Sequence, residues 1–281
     1  MQVYQALALA RERLAAAGIE EGEAQMMARL LLAAHCGVAL RDLPLQLRQE
    51  TDPAPLLPQL EQLAQGEPIQ YLLGSTEFMG LPFLCRPQAL IPRLDSETLV
   101  ERAITLLADL AAPRIADICT GSGAYALALA YHLPGSRVVA CDISAAALAL
   151  AAENRERLGL AERVSLRQGD LLAPLAEDGA VYDLICANPP YIPSAELAAL
   201  PPQVRREPRL ALDGGPDGLA IYRRLLPAVP GLLRPGGYLL LEHGDDQADS
   251  LRALLLPSGL QLREELYDLA GRPRGLLAQL S

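Results

Sequence analysis

The sequence predicts an α/β protein in which a small N-terminal helical domain precedes a Rossmann-like, doubly wound sheet with an antiparallel edge. Two observations carry this prediction. Apolar residues recur at helical spacing from Val3 to about Gly66, and after Pro113 short apolar strands alternate with helical stretches. Such alternation implies parallel strands joined by crossover helices, which cover both faces of one sheet.

Three regions follow one another along the chain. Residues 1–70 are predicted to be a helical domain, because their apolar side chains recur every three or four positions. Residues 71–92 are predicted to form a β-hairpin connector, since two short apolar runs flank a glycine turn. Residues 93–281 form the second predicted domain, which begins with a helix capped by Asp95 or Ser96.

The strands of the second domain are read from short apolar runs between helical stretches. They are predicted at residues 114–119, 137–141, 164–167, 182–186 and 238–242. The last two segments, 261–267 and 275–279, are predicted to add an antiparallel pair at one edge of the sheet.

Composition excludes several classes of function. The 281-residue chain has a net charge of −10, whereas a surface that neutralises a row of phosphates needs clustered Lys or Arg, so no direct nucleic-acid partner is expected. The five cysteines and three histidines show no spacing typical of disulfides or metal ligands, so no metal is predicted. Because no long apolar run occurs, we expect a soluble cytoplasmic protein with no membrane partner.

A glycine turn follows the first predicted strand, in the segment from Asp117 to Gly123. Gly121 and Gly123 let the backbone bend tightly and approach a ligand, and the next helix begins with free N–H groups. Asp142 ends the following strand, where a carboxylate can accept hydrogen bonds from ribose hydroxyls. The pattern indicates a nucleoside-type cofactor. By spacing alone a dinucleotide stays open, because the alanine at position 126 is tolerated where a third glycine is typical.

The tetrapeptide Asn188-Pro189-Pro190-Tyr191 follows the fourth predicted strand, at the sheet edge where such folds bind ligands. An amide or aromatic amine is a poor nucleophile because its nitrogen lone pair is delocalised. The Asn188 side-chain oxygen and the Pro189 carbonyl are predicted to hold its two N–H groups in line with a methyl donor. Tyr191 is predicted to pack against the planar target. This chemistry favours an adenosyl cofactor over a dinucleotide.

With these motifs the chain resembles the bacterial HemK/PrmC family, the release factor glutamine methyltransferases, over nearly its full length. Further matching stretches are residues 90–97, 207–212 and 239–244. The resemblance implies a class I S-adenosylmethionine-dependent methyltransferase domain, a hairpin connector and a helical domain that recognises the protein substrate. The reaction that it implies is N5-methylation of the glutamine in the Gly-Gly-Gln motif of peptide chain release factors.

The resemblance also implies roles for individual residues. The residues implied along the methionine part of the cofactor are Cys119, Thr120, Gly121, Ser122 and Gly123, with Asp117 reaching the methionine amino group through water. Asp142 is implied to hold the ribose, and Asp170 and Leu171 to flank the adenine. Asn188 is implied to contact the cofactor as well as the target glutamine, and Pro189, Pro190 and Tyr191 to contact the glutamine.

Two positions depart from the family pattern. The family usually has glycine where Cys119 stands and proline where Leu94 stands. The Cys119 side chain either crowds the cofactor or points into the sheet, and Leu94 removes a restraint from the turn before the next helix.

Two other functions stay open at the level of sequence. An N6-adenine methyltransferase acting on nucleic acid needs the same grip on an exocyclic amine, although the acidic net charge counts against it. A catalytically idle adenosyl-binding regulatory protein is motivated by Cys119.

Overall fold

The computed structural model describes the backbone of residues 1–281 and all side chains except those of residues 176–178. The chain divides into two compact units. The first consists of Met1–Gly74 with Leu200–Arg206, and the second of Ser75–Ala199 with Glu207–Ser281. The hairpin that the sequence indicates therefore belongs to the second unit, and a short segment far along the chain belongs to the first.

The first unit is helical. Its α-helices are α1 (Val3–Ala16), α2 (Glu21–His35), α3 (Leu56–Ala64) and α4 (Ile69–Leu73). In α1 the buried residues are Val3, Ala6, Ala10 and Leu14, whose spacing of three or four residues places them on one face. That face packs into an apolar cluster with residues of α2 and α3. The unit therefore has a hydrophobic core of its own.

The second unit begins with a β-hairpin of β1 (Ser75–Phe78) and β2 (Leu81–Leu84). The two turn residues, Met79 and Gly80, both have positive φ, 52° and 72°, as the tightest hairpin turns require. The Met79 amide donates to Glu97 Oε1 at 2.6 Å, which fixes the turn to the helix that follows.

A seven-stranded sheet forms the centre of the second unit. The seven strands are β3 (Arg114–Ile118), β4 (Arg137–Asp142), β5 (Val164–Gln168), β6 (Tyr182–Ala187), β7 (Leu233–Glu242), β8 (Leu260–Tyr267) and β9 (Pro273–Leu280). The strand order is β5-β4-β3-β6-β7-β9-β8. The pairs from β5 to β7 are parallel, and β9 is antiparallel to both β7 and β8. The predicted doubly wound sheet with an antiparallel edge is confirmed, with the last strand lying inside the sheet and β8 at its border.

Helices cover both faces of this sheet. They are α5 (Glu97–Leu107), α6 (Ala124–His132), α7 (Ala145–Arg157), α8 (Ala220–Leu225) and α9 (Ala248–Leu255). Consecutive residues of β6 alternate between two apolar clusters, because successive side chains of a strand point to opposite faces. Leu184 and Cys186 join the cluster that contains α5 and α6, whereas Ile185 and Ala187 join the cluster that contains α8 and α9. Both faces are thus buried, as a parallel sheet requires.

The predicted cap at the start of α5 is wrong. Ser96 occupies the N-cap position, but neither it nor Asp95 satisfies a free amide of the helix with its side chain. The Ser96 hydroxyl donates instead to Glu242 Oε2 at 2.6 Å, because that carboxylate is buried and needs donors. A local motif was overridden by a distant partner on β7.

Among the helices that the structure describes, none has the length and apolar character needed to cross a membrane.

Candidate active site

Two predicted loops leave the sheet side by side. Strands β3 and β6 are adjacent and parallel, and Ile118 pairs with Ala187 at their carboxyl ends. The glycine turn after β3 and the Asn-Pro-Pro-Tyr loop after β6 therefore begin at neighbouring points. The strand order reverses between β3 and β6, since the chain runs outward through β4 and β5 and then returns. Ligands of doubly wound sheets bind outside the carboxyl ends of the strands at such a point.

A cavity lies at this position. Of the predicted site residues, those lining it are Asp117, Cys119, Thr120, Gly121, Ser122, Asp142, Asp170, Leu171, Asn188 and Pro190. Gly123, Pro189 and Tyr191 do not line it in this conformation, although they belong to the same two loops. The structure thus gathers segments from the ends of four strands, β3 to β6, around one space.

The two glycines of the turn have different surroundings. Gly121 has φ of 56°, and a Cβ added there would meet only Ala89, at 3.8 Å, so its face toward the cavity is open. Gly123 has φ of 86°, and a Cβ there would lie 2.9 Å from Leu127 Cδ1. Gly121 therefore provides access for a ligand, whereas Gly123 permits close packing at the start of α6.

Asp117 fixes the shape of the glycine turn from beneath. Its Oδ2 accepts from the Thr120 hydroxyl at 2.5 Å and from the Ala126 amide at 3.2 Å, and its Oδ1 accepts from the Cys186 thiol at 3.5 Å. Burial raises the pKa of Asp117 to about 7, although these hydrogen bonds oppose the rise. These hydrogen bonds connect the glycine turn to α6. The contact of Asp117 with the methionine amino group stays a prediction.

Asp142 ends β4 beside the glycine turn. Its Oδ2 accepts from the Gly121 amide and its Oδ1 from the Ser144 amide, each at 2.9 Å. Burial raises its pKa, although the amide bonds favour the ionised form. Each carboxylate oxygen has a further lone pair, which matches the vicinal hydroxyls of a ribose.

Two residues at the cavity hold left-handed backbone conformations that L-amino acids rarely adopt. Cys119 has φ of 60° and Leu171 has φ of 50°. Cys119 packs against the apolar cluster of α8 and α9, and burial raises the pKa of its thiol. Its φ explains why glycine suits this position, because a Cβ is strained in the left-handed region. Strained backbone of this kind is found at functional sites.

Asp170, predicted beside the adenine, is bonded to Arg224 of α8. Both side chains are about half exposed, and both line the cavity. Arg224 was not found from the sequence, because nothing local distinguishes it from Arg223 next to it.

The Asn-Pro-Pro-Tyr loop is braced by the glycine-rich segment of residues 214–218. A Cβ on Gly218 would lie 2.2 Å from the Tyr191 carbonyl oxygen, and one on Gly214 would lie 2.7 Å from Tyr191 Cα. Gln247 donates from Nε2 to the same Tyr191 carbonyl at 2.9 Å. Ile192 bridges to the segment through its amide and carbonyl. The only warning in the sequence was the dense glycine pattern of residues 214–218.

A buried polar network lies behind Tyr191. Glu242, at the end of β7, accepts from Ser96 and from the Tyr125 hydroxyl. Burial raises the pKa of Glu242 and raises that of Tyr191 to about 12, with Arg274 opposing both shifts. Tyr191 therefore stays a neutral phenol at physiological pH and cannot act there as a base.

Glu207 ties the segment before α5 to the cavity wall. It is buried, and it accepts from the Ile91 amide at 2.9 Å and from the Arg93 guanidinium. Burial is the main cause that raises its pKa, and Arg93 opposes it. Arg93 and the neighbouring Pro208 both line the cavity. This link explains how residues 90–97 and 207–212, distant in sequence, serve one site.

The strand order and the antiparallel β9 beside β7 define the fold of the class I methyltransferases. Two solved structures share this fold. The catalytic domain of hMettl16 has a TM-score of 0.59 at 20% identity, covering 73% of this chain and 76% of that chain. A methyltransferase from Pyrococcus furiosus has a TM-score of 0.50 at 19% identity, covering 71% and 89%. At these identities the likeness concerns the fold alone.

Sequence similarity is more specific. Residues 115–206 match a family model described as a methyltransferase domain, and residues 5–74 match one described as the PrmC N-terminal domain. A protein from Moorella thermoacetica named release factor glutamine methyltransferase is 49% identical over 99% of this chain and 98% of its own length. One of the same name from Bradyrhizobium diazoefficiens is 43% identical over 95% and 91%. The chain belongs to the family of release factor glutamine methyltransferases.

The strain at Cys119 predicts an unusual order of variant stabilities. Cys119→Gly is expected to be more stable than Cys119→Ala by about 1 kcal/mol, because a Cβ in the left-handed region costs roughly 1–2 kcal/mol. Urea unfolding measures the difference. The matched control is Cys141 in β4, where Ala is expected to be more stable than Gly. Greater stability of Ala at both positions would contradict the strain.

The raised pKa of Asp117 predicts a pH-dependent stability. Its native pKa of about 7 lies above the ordinary value of 3.8, so its contribution is fully present below about pH 4. It is lost as pH rises toward 7, because a buried carboxyl must then ionise. Relative to Asp117→Asn, which cannot ionise, the wild-type free energy of unfolding is expected to fall over this range and to level off above it. Urea unfolding across the pH series checks this, and a constant difference would contradict it.

Proposed function

We propose that this protein transfers a methyl group from S-adenosylmethionine to the side-chain amide nitrogen of the glutamine in the Gly-Gly-Gln motif of peptide chain release factors. The observation that carries the proposal is the shared cavity of the two loops after β3 and β6. One loop has the features of a nucleoside site, and the other brings Asn188, whose side-chain oxygen can accept from an amide, to the same cavity. The family membership supports the same reaction.

The residues of the cavity fit the cofactor. Gly121 leaves open space where the backbone can approach a ligand, and Asp142 retains acceptor capacity for the ribose. Leu171 packs at the apolar wall that we assign to the adenine. When bound, the cofactor supplies an electrophilic methyl group on a sulfonium. The chain's own contribution is to hold the amide nitrogen in line with that carbon.

The Asn-Pro-Pro-Tyr loop is suited to holding a primary amide. Its two prolines have fixed φ and no N–H, so neither adds a backbone donor that would compete with the target amide for acceptors. Asn188 Oδ1 and the Pro189 carbonyl are assigned to the two N–H groups of the glutamine. Gln247 and Gly218 brace the following carbonyl and keep the loop from shifting. Rigid acceptors stabilise positive charge that develops on the nitrogen without reorganising.

No strong base is needed in this scheme. Burial raises the pKa of Tyr191 to about 12, so it stays neutral and packs beside the target. The methyl group replaces one proton of the amide nitrogen, and that proton departs to solvent. Positioning and dipoles carry the reaction, because the delocalised lone pair of an amide mainly lacks alignment and charge stabilisation.

The two alternatives gain no support. Full-length relatives are named for glutamine methylation, and the acidic net charge disfavours a nucleic-acid substrate. The alternative of a catalytically idle binding protein rested on Cys119, whose side chain packs against the apolar cluster of α8 and α9. The five free cysteines fit a reducing compartment, and we infer the cytoplasm.

The helical first unit is assigned to recognition of the intact release factor. A single glutamine side chain offers too little surface for selectivity, since specific protein interfaces bury roughly 800 Å² per partner. The unit exposes large apolar side chains, Tyr4 at 49%, Met26 at 47% and Leu45 at 77%. These residues provide sites that can contact a protein.

Asn188→Ala is expected to lower kcat on a release factor by about 10²–10³, because one preorganised acceptor is lost from the site. The dissociation constant for S-adenosylmethionine is expected to change little. Turnover is measured by the mass shift of one methyl group on the glutamine, and cofactor binding by calorimetry. The matched control is Gln261→Ala, an exposed amide on β8. Unchanged kcat, or label found only in nucleic acid, would contradict the proposal.

Replacing Tyr4, Met26 and Leu45 together by Ser is expected to lower kcat/KM on the intact release factor. We expect no change in S-adenosylmethionine affinity, because these residues belong to the other unit. Steady-state kinetics and calorimetry separate the two effects. Leu256→Ser, at 82% exposure in the second unit, is the control. Equal kinetics of the triple variant and the wild type would contradict a role in recognition.

A further inference from the structure

A second cavity lies at the amino ends of the parallel strands, whereas the candidate active site lies at their carboxyl ends. Arg114 and Arg137 are the first residues of β3 and β4, and Arg163 directly precedes β5. Because these strands are parallel, their amino ends lie on the same side of the sheet, away from the glycine turn. Together with Arg155 of α7, the three arginines line a cavity of about 380 Å³.

The positive charges of this cavity are packed together. Arg114 and Arg137 are direct partners on adjacent strands, and like charges at such positions repel. The Arg114 guanidinium lies over the Tyr182 ring, 5.8 Å from its centroid. The sheet therefore carries a local excess of charge at its amino edge.

Carboxylates do little to neutralise this charge. Among the residues whose side chains the structure describes, no carboxylate forms an ion pair with Arg114, Arg137 or Arg163. Arg155 pairs with Glu156, which is 62% exposed, and exposed Glu162 is among the residues that line the cavity. Asp183 accepts from the Arg114 backbone amide at 2.6 Å, but its ion pair is with Arg234. In a chain with 34 acidic and 24 basic residues, four arginines around one cavity, with Glu162 as the acidic residue among the described residues that line it, are unexpected.

Carbonyl groups account for part of the arrangement. Arg137 donates to the Glu162 carbonyl, and Arg163 donates to the carbonyls of Ala130 and Leu133 at the end of α6. These bonds satisfy individual N–H groups and leave the net charge in place. Arg155 Nε is buried without a partner among the described atoms. An acceptor carrying negative charge is therefore what the cavity lacks.

We propose that this cavity binds a small polyphosphate anion. The planar fork of a guanidinium matches phosphate oxygens with two parallel hydrogen bonds, and several forks around one space suit linked phosphates. At about 380 Å³ the cavity is large enough for more than one phosphate group. A long nucleic acid is disfavoured, because the net charge of −10 would repel phosphates beyond the cavity. The site is separate from the candidate active site, because it lies at the amino ends of the strands.

The test uses the full-length protein and sodium tripolyphosphate. Calorimetry at low ionic strength is expected to show saturable binding of one anion per chain, weakened by added salt, and the Tm is expected to rise with anion concentration. The double variant Arg114→Gln with Arg137→Gln is expected to bind about 100-fold more weakly, since each charge-assisted hydrogen bond is worth tenfold or more in affinity. Absence of saturable binding to the wild type would overturn the proposal.

Matched variants separate a built site from general charge. Arg11→Gln with Arg48→Gln removes the same charge from exposed positions of the first unit and is expected to leave tripolyphosphate binding unchanged. Arg114→Lys with Arg137→Lys keeps the charge without the fork and is expected to bind with intermediate affinity. Calorimetry with S-adenosylmethionine verifies that each variant is folded. Equal loss in the exposed control, or tighter binding of an RNA oligonucleotide through the same arginines, would overturn the proposal.

Discussion

The parallel pairing of β3 with β6 is the constraint on which the site depends. Ile118 and Ala187 are opposite each other at the carboxyl ends of these strands, so the residues that follow both strands enter the same space. A shift of one residue in this register would turn the buried side chains of a strand to the other face. The two apolar clusters of the sheet therefore fix the register, and with it the distance between the glycine turn and the Asn-Pro-Pro-Tyr loop.

Support for the two loops comes from behind the cavity. Asp117 ties the glycine turn to α6, and Gln247 ties the second loop to the start of α9. The burial that makes these contacts rigid also raises the pKa of Asp117 to about 7 and that of Tyr191 to about 12. Burying these polar groups costs folding free energy, and the apolar clusters on both faces of the sheet offset that cost.

The sequence was sufficient for the fold and for the two motifs, because their signals are local. Alternating apolar runs define strands, glycines mark a tight turn, and two prolines fix a rigid loop. It was insufficient for the partners of Ser96 and Asp170, which are Glu242 and Arg224. Ser96 has the sequence signature of a helix cap, yet its hydroxyl serves a carboxylate on another strand.

The sequence by itself determined the order of strands and helices and the family, and it predicted the roles of the glycine turn and of Asn188-Pro189-Pro190-Tyr191. Only the tertiary structure decided which strands are neighbours, that Gly218 and Gln247 brace Tyr191, and that Arg114 and Arg137 lie together. The physical reason is range. Propensity and periodicity act over a few residues, whereas contacts between distant residues depend on how the buried faces of the whole sheet pack.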